Sequence, residues 1–169
     1  MSGTSVVSAI AATVGDVASI LEGIQTIAGV LNTPRSVVLV VENYTKRKLT
    51  RILDNHVNGG FAVTPSTIIA AGGVNIYGSQ NKAMAIGTGT EGTVRYQLEG
   101  DENWALGIYW NNPFIGKNKC SAFVGKLQSV PGGLPPMLIP DPNIKFRAAA
   151  TCGAGDQGAE MRFELLKNE

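Results

Sequence analysis

Between residues 6 and 31, apolar side chains recur every three or four positions: Val6, Ile10, Val14, Val17, Leu21, Ile24, Ala28 and Leu31. That spacing marks one face of an α-helix. Val7, Ile20, Ile27 and Val30 widen the face, while Ser8, Thr13, Ser19, Glu22, Gln25 and Thr26 populate the other side. Ser2, Thr4 and Ser5 are N-cap candidates, and Asn32-Thr33-Pro34 is a stop signal. The expected helix covers 5–31 and spans about 40 Å at ~1.5 Å per residue, comparable with a bilayer. Most amphipathic helices simply pack on their own domain. Here Gly15, Gly23 and Gly29 each cost roughly 1 kcal/mol against alanine, so the first half is marginal in water. A segment that gains helix on meeting an apolar phase behaves as an interfacial helix.

After Pro34 the period changes from helical to alternating. Short runs at 36–42, 49–53, 67–69, 74–77, 93–98, 104–110, 121–127, 144–148 and 160–166 read as strands. Glycine and proline clusters punctuate them, as at Gly59-Gly60, Gly72-Gly73 and Pro131-Gly132-Gly133. The prediction is a mainly β fold: an antiparallel β-sandwich of about 9–10 strands with the amphipathic helix packed on it. Residues 1–33 form the helix and its hinge and 34–169 the sandwich, one compact domain overall. Segment 129–142 carries four prolines between positions 131 and 140 and reads as a long surface loop. Trp104, at a strand position, is the core candidate of the two tryptophans. Trp110 and Phe114 lie among the turn formers Asn111, Asn112, Gly116 and Asn118, which favours an exposed interfacial anchor over sandwich core.

Composition narrows the chemistry. The chain has 169 residues with 14 Lys and Arg against 13 Asp and Glu, a net charge of +1 that argues against a nucleic-acid partner. Cys120 and Cys152 have no CxxC spacing and no histidine neighbours, so neither a metal nor a cofactor is expected; two thiols and one disulfide both fit. His56 is the single histidine, and no nucleophile elbow accompanies it, so an enzyme is not expected. No basic residue precedes Arg35, and Asp16 and Glu22 interrupt the apolar stretch, so no signal peptide is visible and the segment reads as part of the mature chain. Asn43-Tyr44-Thr45 fits a glycosylation sequon, a triplet common by chance. Lys117 and Lys119, and separately Lys46, Arg47, Lys48 and Arg51, are candidates for anionic headgroups, at ~1 kcal/mol each near a charged membrane.

Helix, linker and sandwich in that order resemble the actinoporin-like cytolysins, in the superfamily of sea anemone cytolysins and fungal fruit-body lectins. The match rests on 37–53 (VVLVVENYTKRKLTRIL), on 73–97 (GVNIYGSQNKAMAIGTGTEGTVRYQ), on 103–109 (NWALGIY) and on 146–167 with its Gly-rich turn. The resemblance covers roughly 5–128 and 144–167. It implies a pore-forming toxin, secreted or released and then found at a target cell membrane. Such a protein docks through loops at one end of the sandwich, detaches its helix, and assembles as a homo-oligomer into a cation-permeable, hemolytic pore. Val6, Ile10, Val14, Val17, Leu21 and Ile24 would then enter the membrane. Asp16 and Glu22, the charges of 5–31, would line the lumen and escape lipid burial. The Asn32–Pro34 link would be the hinge.

The receptor is less well marked. The family holds a sphingomyelin or phosphocholine headgroup with a dense Tyr/Trp cluster and a later tyrosine-rich segment. Here the matching positions are Tyr109, Trp110, Asn111, Asn112, Phe114 and Lys117, with Asn58 at the family's expected serine. The later tyrosines are replaced by the proline-rich loop, and the family's Arg-Gly-Asp triplet is absent. Another lipid or a glycan is therefore as open a receptor as phosphocholine. The rival function is a fruit-body-type lectin that binds glycans without making pores, with Trp110, Asn111, Asn112 and Asn118 toward the sugar.

Overall fold

Alternation of inward and outward side chains sorts the strands into two sheets. The computed structural model describes residues 7–168. In chain order they form β1 (Ile10–Thr13), α1 (Val17–Val30), β2 (Ser36–Asn43), β3 (Leu49–Asn58), β4 (Gly60–Val63), β5 (Ile68–Ile69), β6 (Gly73–Gln80), β7 (Thr90–Leu98), β8 (Asp101–Asn112), β9 (Lys119–Gln128), β10 (Met137–Ile139), β11 (Phe146–Cys152) and β12 (Ala159–Lys167). One sheet has the order β1-β6-β2-β12-β11 with β4 on the end of β6; the other runs β10-β9-β8-β7-β3-β5. The described pairs are antiparallel except β12 with β2. In β8 the inner face carries Leu106, Ile108, Trp110 and Asn112, each buried, between half-buried outer neighbours.

Two strands break the alternation for one reason. All eight residues of β2 are buried, and so are the first seven of β6. One face of each packs on the other sheet and the opposite face lies under α1, so the unbroken apolar run SVVLVV is that of a strand covered on both sides. Ile20, Ile27 and Leu31 are 5%, 0% and 3% exposed against this surface. Glycines set the approach: a Cβ on Gly23 would lie 2.6 Å from Ile76 Cδ1, and one on Gly78 would lie 2.9 Å from Leu31 Cδ2.

The helix is shorter than its sequence pattern, and its packed face is rotated. Residues 10–13 pair as a strand with β6, Ile10 opposite Ile76, so Ile10 is extended and Val14 lies in the turn that follows. Gly15 sits at φ +84°, where glycine is favoured, and Asp16 caps α1 by accepting from Ser19 N at 3.2 Å. The buried seam is Ile20, Gly23 and Ile27, while Val17 and Leu21 stand 74% and 53% exposed and Ile24 is half-buried. The 4-residue ladder to β6 supplies the backbone hydrogen bonds of 10–13, and Gly15 at positive φ interrupts any helix running from there into α1, which is why the strand wins over 10–13. Val6 lies outside the described residues.

Behind one end of the sandwich a polar chain crosses the core. Trp110 Nε1 donates to Thr90 Oγ1 (3.1 Å), and Thr90 and Ser79 hydroxyls meet at 2.5 Å. His56 Nε2 lies 2.8 Å from Ser79 Oγ, which itself donates to Gly60 O (3.1 Å). With Ser79 donating to the carbonyl, the imidazole donates from Nε2, so every member is satisfied with His56 neutral. Its ring packs edge-on to Phe61 at 4.4 Å and to Trp110 at 5.4 Å. Burial holds the His56 pKa below its ordinary value, with Asp54 opposing and Lys82 assisting.

Two predictions follow from this packing. Ile27→Ala should lower unfolding stability by about 2–4 kcal/mol in denaturant titrations, whereas Leu21→Ala should change it by less than ~0.5 kcal/mol. Equal effects would mean that the packed face is misassigned. For His56, a folded pKa below the unfolded ~6.5 makes the unfolded chain bind more protons between those two values. Stability is therefore intact above pH ~7 and falls as pH drops through that window. His56→Gln should flatten the fall between urea melts at pH 7.5 and 5.

Candidate functional site

Strand register brings several turns to one end of the sandwich. Asn58 of β3 lies opposite Glu91, Thr90 opposite Asn112, and Ser36 opposite Gln80. Turns 59–60, 81–89, 113–118 and 153–158 and the 31–35 link therefore share this end. Two of these turns expose large apolar side chains: Met84 at 97%, Ile86 at 92%, Ile115 at 85% and Phe114 at 46%. Lys82 and Lys117 are exposed beside them.

The 81–89 loop is fastened internally in spite of that exposure. Asn81 clasps it from within, donating from Nδ2 to Ala85 O (3.1 Å) and accepting from Thr88 Oγ1 at 2.9 Å. Met84 is held at φ +65°, a left-handed conformation that a side-chain-bearing residue adopts at a cost. Gly89 lets the loop lie against the next turn; a Cβ there would collide with Asn112 O. Where the loops abut, a cavity of about 300 Å³ is lined by Asn58, Glu91, Asn111, Pro113, Phe114, Ile115 and the 87–89 backbone.

The same end holds the 31–35 link between α1 and β2. Gln157 Nε2 donates to Leu31 O (3.2 Å), Asn32 N to Gln80 Oε1 (3.1 Å) and Asn81 N to Arg35 O (3.1 Å). Arg35, at φ +63°, ion-pairs with Asp156 at 2.6 Å and lies over the Phe114 ring at 5.8 Å. Asn112 Nδ2 donates to Ser36 O and Asp156 O, both at 3.1 Å, leaving its buried Oδ1 without a partner among the described residues. Asn118 Nδ2 likewise ties 113–118 to Gly153 O and Gly155 O.

The expected receptor-binding residues therefore divide. Asn58, Asn111 and Phe114 line one cavity, and Lys117 is exposed next to it. Tyr109 is half-buried on the outer face of β8. Trp110 and Asn112 are corrected: both are fully buried on the inner face, one filling the core and the other tying Ser36 to Asp156. Trp104 is the reverse case, since it shares the inner parity but stands half-buried at the far mouth of the sandwich, with Nε1 on Asp141 Oδ2 at 3.1 Å. Strand parity separates these roles better than neighbouring turn formers do. Met84, Ile86 and Ile115 were missed; the signal was an apolar pair running into a Gly-rich turn in KAMAIGTG for the first two, and the Phe-Ile pair ahead of Gly116 for the third.

Other expectations fall away or are resolved. Lys46, Arg47 and Lys48 lie at the opposite end from Lys117 and Lys119, so one surface does not unite them, and Arg51 is paired with Asp54 at 3.0 Å. Asn43 is buried with Nδ2 on Arg47 O and Ala70 O, so the sequon is not an acceptor site. Cys120 and Cys152 are free thiols, the second exposed; burial and the neighbouring Cys152 push the Cys120 thiol up to about 12. Asp16 is an exposed cap whose pKa is lowered by its hydrogen bonds to Ser19, and Glu22 is exposed on the helix. Segment 129–142 is not wholly loop, because Met137–Ile139 adds to β9 as an edge strand. No helix among the described residues is long and apolar enough to cross a membrane.

No family model and no curated protein sequence matches the chain. Solved structures do. The lipid binding protein Nakanori matches at a TM-score of 0.69 with 15% identity, over 87% of this chain and 78% of that one. RahU protein, solved in complex with a TRIS molecule, matches at 0.56 with 13% identity, over 80% and 96%. IP-1A from Alcaligenes faecalis matches at 0.54 with 13% identity, over 84% and 97%. The helix and the two-sheet topology together identify the architecture: this chain has the actinoporin-like sandwich fold that is shared with the fruit-body lectins.

Proposed function

We propose that this protein binds lipid membranes through loops 81–89 and 113–118. The observation that carries the reading is the exposure of Met84, Ile86, Ile115 and Phe114 on two abutting, internally fastened loops. Each side chain of this size gains roughly 1.5–3 kcal/mol on full burial, so even partial insertion of four repays several kcal/mol. Exposed apolar groups of this kind mark an interaction surface. Lys82 and Lys117 at the rim suit the headgroup zone. The lipid-binding description of Nakanori, on the same fold, supports this choice of partner. The aromatic set for a phosphocholine cage is reduced to Phe114, so the bilayer itself is the proposed target rather than one headgroup.

A second stage is the pore, with the released N-terminal segment as its wall. Val17 and Leu21 favour it, because they are apolar and exposed on the face that does not pack on β6. As folded, the 14 residues of α1 span only about 21 Å at ~1.5 Å each, short of a ~30 Å hydrocarbon core. Insertion therefore requires β1 to unzip from β6 and join the helix, which would bring Asp16 into the wall with Glu22. A lectin keeps α1 docked, and Asn58, Glu91 and Asn111 around the loop cavity would then face a sugar.

In vesicle co-sedimentation, Met84→Ser/Ile86→Ser/Ile115→Ser should bind at least 100-fold more weakly with an unchanged melting temperature. Undiminished binding by that variant would sink the docking surface. For the second stage, Ala12→Cys/Val74→Cys bridges register partners of β1 and β6, in a background where Cys120 and Cys152 are serine. When oxidised it should bind vesicles normally but release no dye, and reductant should restore leakage. Leakage from the locked form would contradict helix insertion, and glycan binding without leakage from any form would favour the lectin. The lock is preferred to deletion of 1–33, which strips the cover from β6.

A further inference from the structure

The end of the sandwich opposite the apolar loops carries a different surface. There, a cavity of about 570 Å³ opens beside the β2–β3 turn and the starts of β8 and β11. Tyr44, Trp104 and Phe146 give it ring faces, and Lys46, Arg47, Lys145 and Lys167 give it cations, against one lining acid, Asp101. An adjoining depression of about 640 Å³ shares Tyr44 and Lys167 and adds Arg147, so the two continue as one elongated groove. Five of the chain's 14 basic residues gather here in a protein whose net charge is only +1.

These cations are largely unpaired. Lys46, Lys145, Arg147 and Lys167 have no carboxylate within 4.0 Å among the described residues. Arg47 is shared between Asp101 at 3.5 Å and the Glu99 carbonyl at 3.1 Å. Glu42, a buried acid nearby, is already taken by Arg162, with Nε at 3.0 Å and Nη2 at 2.5 Å. The rings, by contrast, are fixed in advance. Tyr44 OH donates to Glu42 Oε2 at 2.8 Å, Trp104 Nε1 donates to Asp141 Oδ2 at 3.1 Å, and Phe146 stands edge-on to Trp104 at 6.4 Å. Their polar atoms are satisfied, so what they offer a ligand is flat apolar surface.

We propose that this groove binds a sulfated oligosaccharide, with sugar faces on Tyr44 and Trp104 and sulfates on Lys46, Lys145, Arg147 and Lys167. Multiple free cations call for a multiply charged anion. Preset aromatic walls in a concavity call for a ring-bearing ligand of modest size, and the volume falls in the roughly 300–1,000 Å³ range of small-ligand sites. Two adjoining depressions with cations in both favour a chain over a single ion. β3 alone, with 10 residues at ~3.3 Å each, separates the two ends by about 30 Å, so a bilayer engaged by the apolar loops does not reach here. The site is thus independent of the membrane reading and stands or falls apart from it.

The test is a titration of the full chain with a sulfated hexasaccharide and its desulfated counterpart at fixed ionic strength, read by calorimetry and tryptophan emission. Trp104 reports on the groove, while Trp110, fully buried at the other end, supplies a constant background. The sulfated sugar should bind saturably and shift the emission, and the desulfated one should bind at least tenfold more weakly. Lys145→Ala/Lys167→Ala should cost tenfold or more, Lys117→Ala at the apolar end should cost nothing, and Trp104→Phe should silence the emission change while calorimetry still registers binding. The proposal is overturned if the double variant binds like wild type, if Lys117→Ala loses as much, or if inorganic sulfate matches the hexasaccharide per anion. It is equally overturned if a single-stranded oligonucleotide of matched charge binds tighter than the sugar.

Discussion

The contact between α1 and β6 is the constraint on which the N-terminal third depends. Gly23 on the helix and Gly78 on the strand let the two approach closely enough for Ile20, Ile27 and Leu31 to be almost wholly buried. At roughly 1.5–3 kcal/mol per fully buried side chain, those three contribute about 5–9 kcal/mol, an upper figure because the unfolded chain is itself partly compact. A domain of this size is stable by about 5–15 kcal/mol in total, so this seam is comparable with the whole margin. The β1 ladder adds to it at the far end of the same strand.

The two ends of the sandwich divide the remaining work. One end gathers the apolar loops and the 31–35 link, and the bonds that fix the link come from the ends of β6 and β8 (Gln80 and Asn112), from Asn81 at the base of the first loop, and from Asp156 and Gln157. Arg35 stands at their junction, bonded to Asp156 and lying over Phe114. The other end gathers cations over preset rings and touches neither loop.

Much of this was legible in the sequence. Each of the nine strand runs reappears, and β1, β4 and β10 were missed for identifiable reasons. β4 follows Gly59 with no spacer, and β10 is three residues inside a proline-rich stretch. β1 shares an apolar spacing of four with a helix, and periodicity cannot separate the two over so short a run. The helix face was misjudged because Val17-Leu21-Ile24 and Ile20-Gly23-Ile27 are equally periodic. What decides between them is a glycine, which counts as a weakness on a helix taken alone and as a contact once β6 lies beneath it. The proposed loop site was half legible: the resemblance pointed to Asn58, Asn111 and Phe114, which line one cavity. Met84 and Ile86 were not, because an apolar turn has no periodicity to betray it.

Magnitudes also constrain the proposed second stage. Partial insertion of Met84, Ile86, Ile115 and Phe114 would gain several kcal/mol, no more than the α1 seam holds. Docking by itself would therefore not expel the helix. In that proposal the balance has to come from what the helix meets next. Ile20, Ile27 and Leu31 would exchange one apolar surrounding for another on entering lipid, at little net cost, while Val17 and Leu21 would move from water into an apolar phase and add to the gain. One cost would then remain: β6, buried on both faces, would lose its cover along Val74, Ile76 and Gly78. An exposed two-sided strand of that kind would have to be covered again, by lipid or by another copy of the chain, so the proposed release of the helix would be coupled to assembly through the same strand.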